Sequence, residues 1–254
     1  MRVMTARLPW EVEDITTDMV DAYLTRALTN RAPQTVANHR RILTTLLRAA
    51  QKEGLNTCIQ FPFRRVKQNR SVVRAWSLEE IRLLVETARK STRQFRDVSH
   101  AVFLEAWFLV GFSTGLRAGD LRALRRDQIR GNRICVVQQK TQDPVTCFLN
   151  AESSEAIRRL PRKTRLFGDF ACKKSIEHAV KACVLEAGLE GSTKWLRRSS
   201  ATYAEILGIS AQTQLGHRTP GLAMRHYVAP DLIAEHRRPM PSVLAESELC
   251  ERVH

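Results

Sequence analysis

Apolar residues along this chain recur mostly at helical spacing, and one stretch alone alternates with the period of a strand. In "ITTDMVDAYLTRAL" the residues Val20, Tyr23, Leu24 and Leu28 share a face behind Thr and Asp caps. "APQTVANHRRILTTLLRAAQKEG" repeats the pattern with Val36, Leu43, Leu46, Leu47 and Ala50 before Gly54. Two such helices alone make a thin core. "FPFRRVKQNRSVVR", residues 61–74, breaks the periodicity, and "SLEEIRLLVETA" restarts it, with Ser77 and Glu80 spelling a capping box ahead of Ile81, Leu84 and Val85. "VSHAVFLEAWFLVGF" is apolar almost all round and predicts a buried central helix. "NRICVVQQK" and "DPVTCFLN" alternate around "TQDP", which predicts a hairpin with Lys140 at the end of its first strand. "SIEHAVKACVLEAG", "WLRRSSATYAEIL" and "PGLAMRHYV" then return to helix. The expected fold is mainly α with a small β-hairpin or sheet, in two units, 1–63 and 76–254, joined by a basic linker over 64–75.

Composition narrows what such a fold would serve. A hydrophobic fraction of 43% in 254 residues suits a globular chain with a sizeable core. No apolar run reaches the roughly 18 residues of a membrane span, and "MRVMTARLPWEVED" lacks the apolar centre of a signal peptide. A cytoplasmic protein with no membrane partner is expected. The six cysteines are scattered without metal-ligand or disulfide-scaffold spacing, so they read as reduced thiols. Charge adds more: 41 Lys and Arg against 26 Asp and Glu leave +15, a field that attracts polyanions, nucleic acid first among them. The 61–74 segment carries five basic residues and no acid. Arg64, Arg65, Lys67, Arg70 and Arg74, with Arg40 and Arg41 on the second helix, are the candidate DNA contacts.

Tyrosine is scarce, three in the chain, yet Tyr227 stands in "LGHRTPGLAMRHYV" beside Arg225 and His226. A phenol with an ordinary pKa of about 10 attacks poorly near neutrality unless a base or cations assist it. A phosphodiester target is anionic and needs positive donors around its non-bridging oxygens. Such groups occur at Arg117 in "TGLRAGDL", Lys140 in the hairpin, Lys194 and Arg197 in "KWLR", and His217 in "LGH".

"GFSTGLRAGDLRALRRDQI", the hairpin lysine before "TQDPVTCFL", "KWLRRSSAT" and "LGHRTPGLAMRHY" occur in this order, and together they resemble the tyrosine recombinases, the family of phage integrases and Xer-type recombinases. The resemblance implies a two-domain clamp on DNA, with 1–63 a helical core-binding (SAM-like) domain, shorter than usual, and 76–254 the catalytic domain with its tail. It implies site-specific cleavage and rejoining of double-stranded DNA through a covalent 3′-phosphotyrosine, by a homotetramer on synapsed sites that is a monomer or weak oligomer without DNA. Neither a metal nor another cofactor is implied, because the bond energy stays in the protein–DNA ester.

By the same resemblance, Arg117 and Arg197 hold the scissile phosphate, and Lys140 protonates the departing 5′ oxygen. His217 donates to a phosphate oxygen, and Tyr227 is the nucleophile. Lys194 stands where the family mostly has histidine, at the position linked to proton transfer at the nucleophile. Asp120 matches the acid after the first arginine, with a structural role that orients Arg117. Tyr203, on an amphipathic helix, reads as core. The interval from Arg197 to His217 is a few residues shorter than usual, and that from His217 to Tyr227 about one longer. Two other readings compete: a catalytically silent DNA-binding protein on the same fold, and a type IB topoisomerase-like enzyme that relaxes DNA as a monomer.

Overall fold

The computed structural model describes residues 11–56, 59–67, 72–216 and 221–236. The chain divides into two compact units, Met1–Ser71 and Val72–His254. It is mostly helical, with one small antiparallel sheet.

In the first unit, α1 (Thr17–Asn30) starts where the Thr16 hydroxyl accepts the Met19 N–H at 3.3 Å. Helix α2 (Pro33–Lys52) opens on a proline, whose missing N–H costs nothing at a helix start. Val20, Leu24 and Ala27 of α1 meet Val36, Leu43 and Leu47 of α2, and Ile59 and Phe63 complete this core. The linker is expected to start at residue 64, but residues 64–66 still belong to the folded unit, continuous with 61–63. Phe63 is 1% exposed, Phe61 and Val66 pack beside it, and the Arg64 N–H donates to Asp21 at 2.8 Å. Two helices need a third surface to close their core, and these aromatic residues supply it.

The second unit is built around the helix that the sequence marks as central. Helix α3 (Leu78–Arg89) begins with the expected capping box: the Ser77 hydroxyl accepts the Glu80 N–H and the Glu80 carboxylate accepts the Ser77 N–H. Helix α4 (His100–Thr114) is covered by α3, α6 (Ala151–Arg159), α7 (Lys173–Glu186) and α8 (Thr193–Ile206). Phe103, Trp107 and Phe108 of α4 pack in this core with Trp76 and Phe167. Its single buried acid, Glu105, is 3% exposed and is bonded by Arg89 at 2.5 Å and Arg159 at 2.9 Å, so no charge is stranded.

The sheet is a meander of β1 (Ile129–Arg130), β2 (Arg133–Val137) and β3 (Pro144–Phe148). Ile134 pairs with Cys147 and Val136 with Val145 on the inward face. The hairpin is where the alternation puts it, with two differences: β2 ends at Val137, which leaves Lys140 in the turn, and the short β1 adds a third strand. Two residues carry too little periodicity to announce a strand.

Helix α5 (Ala118–Ala123) follows α4, and three short helices follow α8: α9 (Ala211–Leu215), α10 (Leu222–His226) and α11 (Pro230–His236). A small core of Ala201, Ala211, Leu215, Ala223 and Val228 seats them on α8. Among the described residues no helix is long and apolar enough to cross a membrane, and no group of His, Cys, Asp and Glu is arranged to hold a metal ion.

Candidate active site

Two left-handed glycines shape the site. Helix α4 ends at Gly115, φ +61°, where a Cβ would lie 2.8 Å from Ser200 Oγ and 2.9 Å from Leu215 Cδ2. Helix α9 ends at Gly216, φ +62°, where a Cβ would run into Val145. A glycine fits both the dihedral and the space at each place. The backbones of these two turns therefore approach α8 and the sheet closely enough to offer carbonyls to a side chain between them.

That side chain is Arg197. It lies on the inward face of α8 and is 4% exposed. Its Nη1 donates to the Gly115 carbonyl at 2.5 Å and its Nη2 to the Leu215 carbonyl at 3.1 Å. Its guanidinium carbon sits 5.1 Å from the centre of the Tyr227 ring. Burial, and then the nearby charge of Arg117, pull its pKa down to about 10, opposed by a hydrogen bond to Tyr227. Arg197 stays protonated near neutrality, but as a desolvated cation next to another one. Such a pair gains from any anion placed between its members.

Arg117 comes from the break between α4 and α5, where its extended backbone caps α5. It is half-buried and its Nη1 donates to Gln138 Oε1. Asp120, expected to orient Arg117, instead accepts the backbone N–H of Gln139 at 2.9 Å. Its other oxygen, Oδ2, is buried without a hydrogen-bond partner. The acid thus supports the end of the hairpin next to the residue that holds Arg117, and its effect on the arginine is indirect.

Tyr227 ends α10, with its N–H donating to the Ala223 carbonyl at 2.9 Å, and is half-buried. Val228 and Ala229 behind it are buried, and the Ala229 N–H donates to Thr202 Oγ1 at 2.9 Å. These contacts tie the tyrosine segment to the same helix that carries Arg197. Arg225 and His226 are exposed, so the cations that matter to Tyr227 come from elsewhere in the chain. The other tyrosines are tied to structural partners: Tyr23 Oη is 2.9 Å from His39 Nδ1, and the buried Tyr203 Oη accepts the Leu78 N–H at 3.0 Å.

Lys140 is exposed in the β2–β3 turn, and Lys194 is exposed in the first turn of α8, three residues before Arg197 on the neighbouring face. His217 and Arg70 lie outside the described residues. Of the other candidate DNA contacts, Arg41, Arg65 and Lys67 are exposed. Arg40 is part-buried, and its Nε and Nη2 both donate to the Phe63 carbonyl at 3.1 and 3.0 Å, which gives it a structural role in the first unit. Arg64 donates to Thr25 Oγ1 at 3.0 Å, and Arg74 pairs with Glu190 at 3.5 Å on the surface of the second unit.

The residue that the motifs passed over is Gln138. It is fully buried, and it continues the inward parity of Ile134 and Val136. A polar side chain at an inward position of an alternating strand was the available signal.

No protein-family model matches the sequence, and no curated protein matches it. Solved structures do match. Lambda integrase residues 75–356, a dimer bound to a COC′ core site, superposes with a TM-score of 0.69 at 20% identity over 87% of this chain and 86% of that one. The Tn1549 transposon integrase, residues 82–397 in complex with circular intermediate DNA, gives a TM-score of 0.69 at 15% identity over 93% and 90%. A lambda integrase tetramer bound to a Holliday junction gives 0.68 at 20% identity over 87% and 70%. With its helical units, its small antiparallel sheet and a buried arginine set against a tyrosine, this chain has the integrase fold.

Proposed function

We propose that this chain is a site-specific tyrosine recombinase of the integrase type, which cleaves and rejoins double-stranded DNA through a phosphotyrosine at Tyr227. The observation that carries the reading is the buried Arg197 guanidinium, fixed by two carbonyls and facing the Tyr227 ring, with the charge of Arg117 close enough to depress its pKa. A desolvated cation facing a phenol, with a second cation close to it, is a receptor for the anionic phosphodiester that the phenol attacks. The DNA-bound integrases of the same fold support a duplex as the partner, and their dimer and tetramer complexes support assembly on it.

In this reading Arg117 and Arg197 bind the non-bridging oxygens and stabilise the charge that grows on them in the transition state. Tyr227 Oη forms the bond to phosphorus as the bond to the 5′ oxygen breaks, and Lys140 delivers a proton to that oxygen. Lys194 takes the phenolic proton. His217 donates to a phosphate oxygen. A 5′ hydroxyl from a second strand then reverses the steps and releases the tyrosine. The first unit and the basic residues 64–74 close on the duplex as the other half of a clamp, and a homotetramer brings two sites together.

The test is a nicked suicide duplex, its site selected from a random-sequence pool by binding to the wild-type protein. The adduct is resolved on a denaturing gel and its peptide mapped. Wild type should form an adduct at Tyr227, and Tyr227→Phe should form none while binding DNA as wild type does, because affinity rests on many phosphate contacts. An adduct at Tyr203, or one that persists in Tyr227→Phe, sinks the assignment. The absence of any adduct favours a catalytically silent DNA-binding protein.

A further inference from the structure

Among the described residues a neutral amide, and no acid, bonds the first arginine. Gln138 Oε1 accepts from Arg117 Nη1 and from Thr141 Oγ1, the latter at 3.2 Å, and Gln138 Nε2 donates to the Leu215 carbonyl at 2.9 Å. That carbonyl is also the acceptor of Arg197 Nη2. Through its backbone, Gln138 donates to the Asp143 carbonyl at 2.9 Å and accepts the Gln142 N–H at 2.8 Å, which closes the turn holding Lys140. One residue thus touches Arg117, the lysine turn and the anchor of Arg197.

The chemistry of the position is narrow. A primary amide offers two acceptor lone pairs and two donors, and this one uses both kinds at once. A carboxylate would neutralise Arg117 and set a negative oxygen against the Leu215 carbonyl. An apolar side chain would leave that guanidinium N–H without its acceptor. Asparagine would fall short by one C–C bond, about 1.5 Å. Only a neutral acceptor of this length holds Arg117 without cancelling the charge that the phosphate is to meet.

We infer that Gln138 is the positioning residue that aims Arg117 at the scissile phosphate and keeps it in register with Arg197 and the Lys140 turn. The inference rests on the recombinase reading of the site. It touches no reacting atom, so its loss lowers the rate of the chemical step and leaves DNA affinity in place. Its effect also requires a charged phosphate, because it acts through a guanidinium.

The experiment compares full-length wild type, Gln138→Met and Gln138→Glu on the selected nicked duplex, after melting curves and DNA affinities have been measured for each. Adduct formation is followed in single turnover at saturating protein, with either a normal phosphodiester or an uncharged methylphosphonate at the scissile position. Both variants should bind within about threefold of wild type and form adduct about 10²-fold more slowly on the phosphodiester, as expected for a misplaced catalytic group. On the methylphosphonate the defect should shrink by about tenfold or more, because little charge remains for Arg117 to stabilise. If Gln138→Met does not fold, the isosteric Gln138→Glu carries the comparison. Variants that cleave like wild type, or that lose the same factor on both substrates, overturn the positioning role. A wild type that forms no adduct overturns the recombinase reading, and this inference with it.

Discussion

Arg197 enters the site from a helix face, and its guanidinium is bound by two carbonyls in the chain alone, whereas Lys140 rides an exposed turn and Lys194 an exposed helix start. The arginine's rotamer freedom and hydration are lost on folding. Each lysine keeps a flexible, solvated side chain in the chain alone. A preorganised donor adds most to the rate, since nothing must move at the moment of reaction, but it burdens the folded state. The fall of the Arg197 pKa to about 10 corresponds to roughly 3 kcal/mol. The two hydrogen bonds, made by a charged group, return about 3 to 6 kcal/mol between them. The burden is thus offset within the chain, by the same carbonyls that fix the guanidinium.

The largest effect that would break this comparison belongs to Arg197. Arg197→Met should lose adduct formation by about 10²- to 10³-fold or more, yet melt close to wild type, because the desolvation of the charge and the two bonds that offset it are lost together. A marked fall in melting temperature would show the arginine to be a structural brace. Arg197→Lys should be nearly as inactive, since one ammonium does not reproduce the planar fork that meets two carbonyls and a phosphate.

For the lysines the expected signature is chemical, with no change in stability. Lys140→Ala should slow cleavage by about 10²-fold and melt like wild type. A bridging sulfur at the 5′ position, which departs as a thiolate without needing a proton, should restore most of the rate. Failure of that substrate to rescue the variant would remove Lys140 from the leaving-group step.

A smaller effect separates the basic residues of the first unit. Arg65→Ala should flatten the plot of log affinity against log salt by about one unit and leave the melting temperature alone. Arg40→Ala should leave the slope nearly unchanged and destabilise the unit by about 1 to 3 kcal/mol, because its charge-assisted bonds to the Phe63 carbonyl are lost. Reversed outcomes would exchange the two roles.

The smallest effect concerns the thiols. Burial pushes Cys147 and Cys183 up to about 11, while Cys135 and Cys172 are exposed and the Cys172 thiol is lowered by its hydrogen bond with Ser175. At pH 8 an alkylating reagent should modify Cys135 and Cys172 at once and Cys147 and Cys183 only on unfolding. Because those two pKa values are raised in the folded state, their contribution is whole below about 9 and is lost as pH climbs toward 11. Melting temperature should fall across that window.

How much of this could be read along the chain differed by element. The central helix and the capping box of α3 were legible because each is specified within a dozen or so neighbouring residues: an all-apolar run, or a Ser and a Glu three apart. The order of Arg117, Lys140, Lys194, Arg197 and Tyr227 was legible because it is a linear pattern. The place of residues 64–66 was not, because five cations dominate 61–74 and hide the packing of Val66 and the bond from Arg64 to Asp21. The bonds of Arg40 to the Phe63 carbonyl were hidden for the same reason: a charge is visible in a sequence and its acceptor is not.

By itself, then, the sequence determined the long helical segments, the caps that start them, and which side chains have the chemistry for a phosphodiester, while short helices such as α5, α6 and α9 gave too little periodicity. Periodicity, caps and residue type are local properties. Only the tertiary structure decided that Gly115 and Leu215, 100 positions apart, turn their carbonyls on one guanidinium. It also decided that Gln138 bonds Arg117, while Asp120 bonds the backbone of Gln139. These are hydrogen bonds between distant segments, and their partners are chosen by which backbones pack closely enough to meet. Nothing within a single helix or strand encodes that choice.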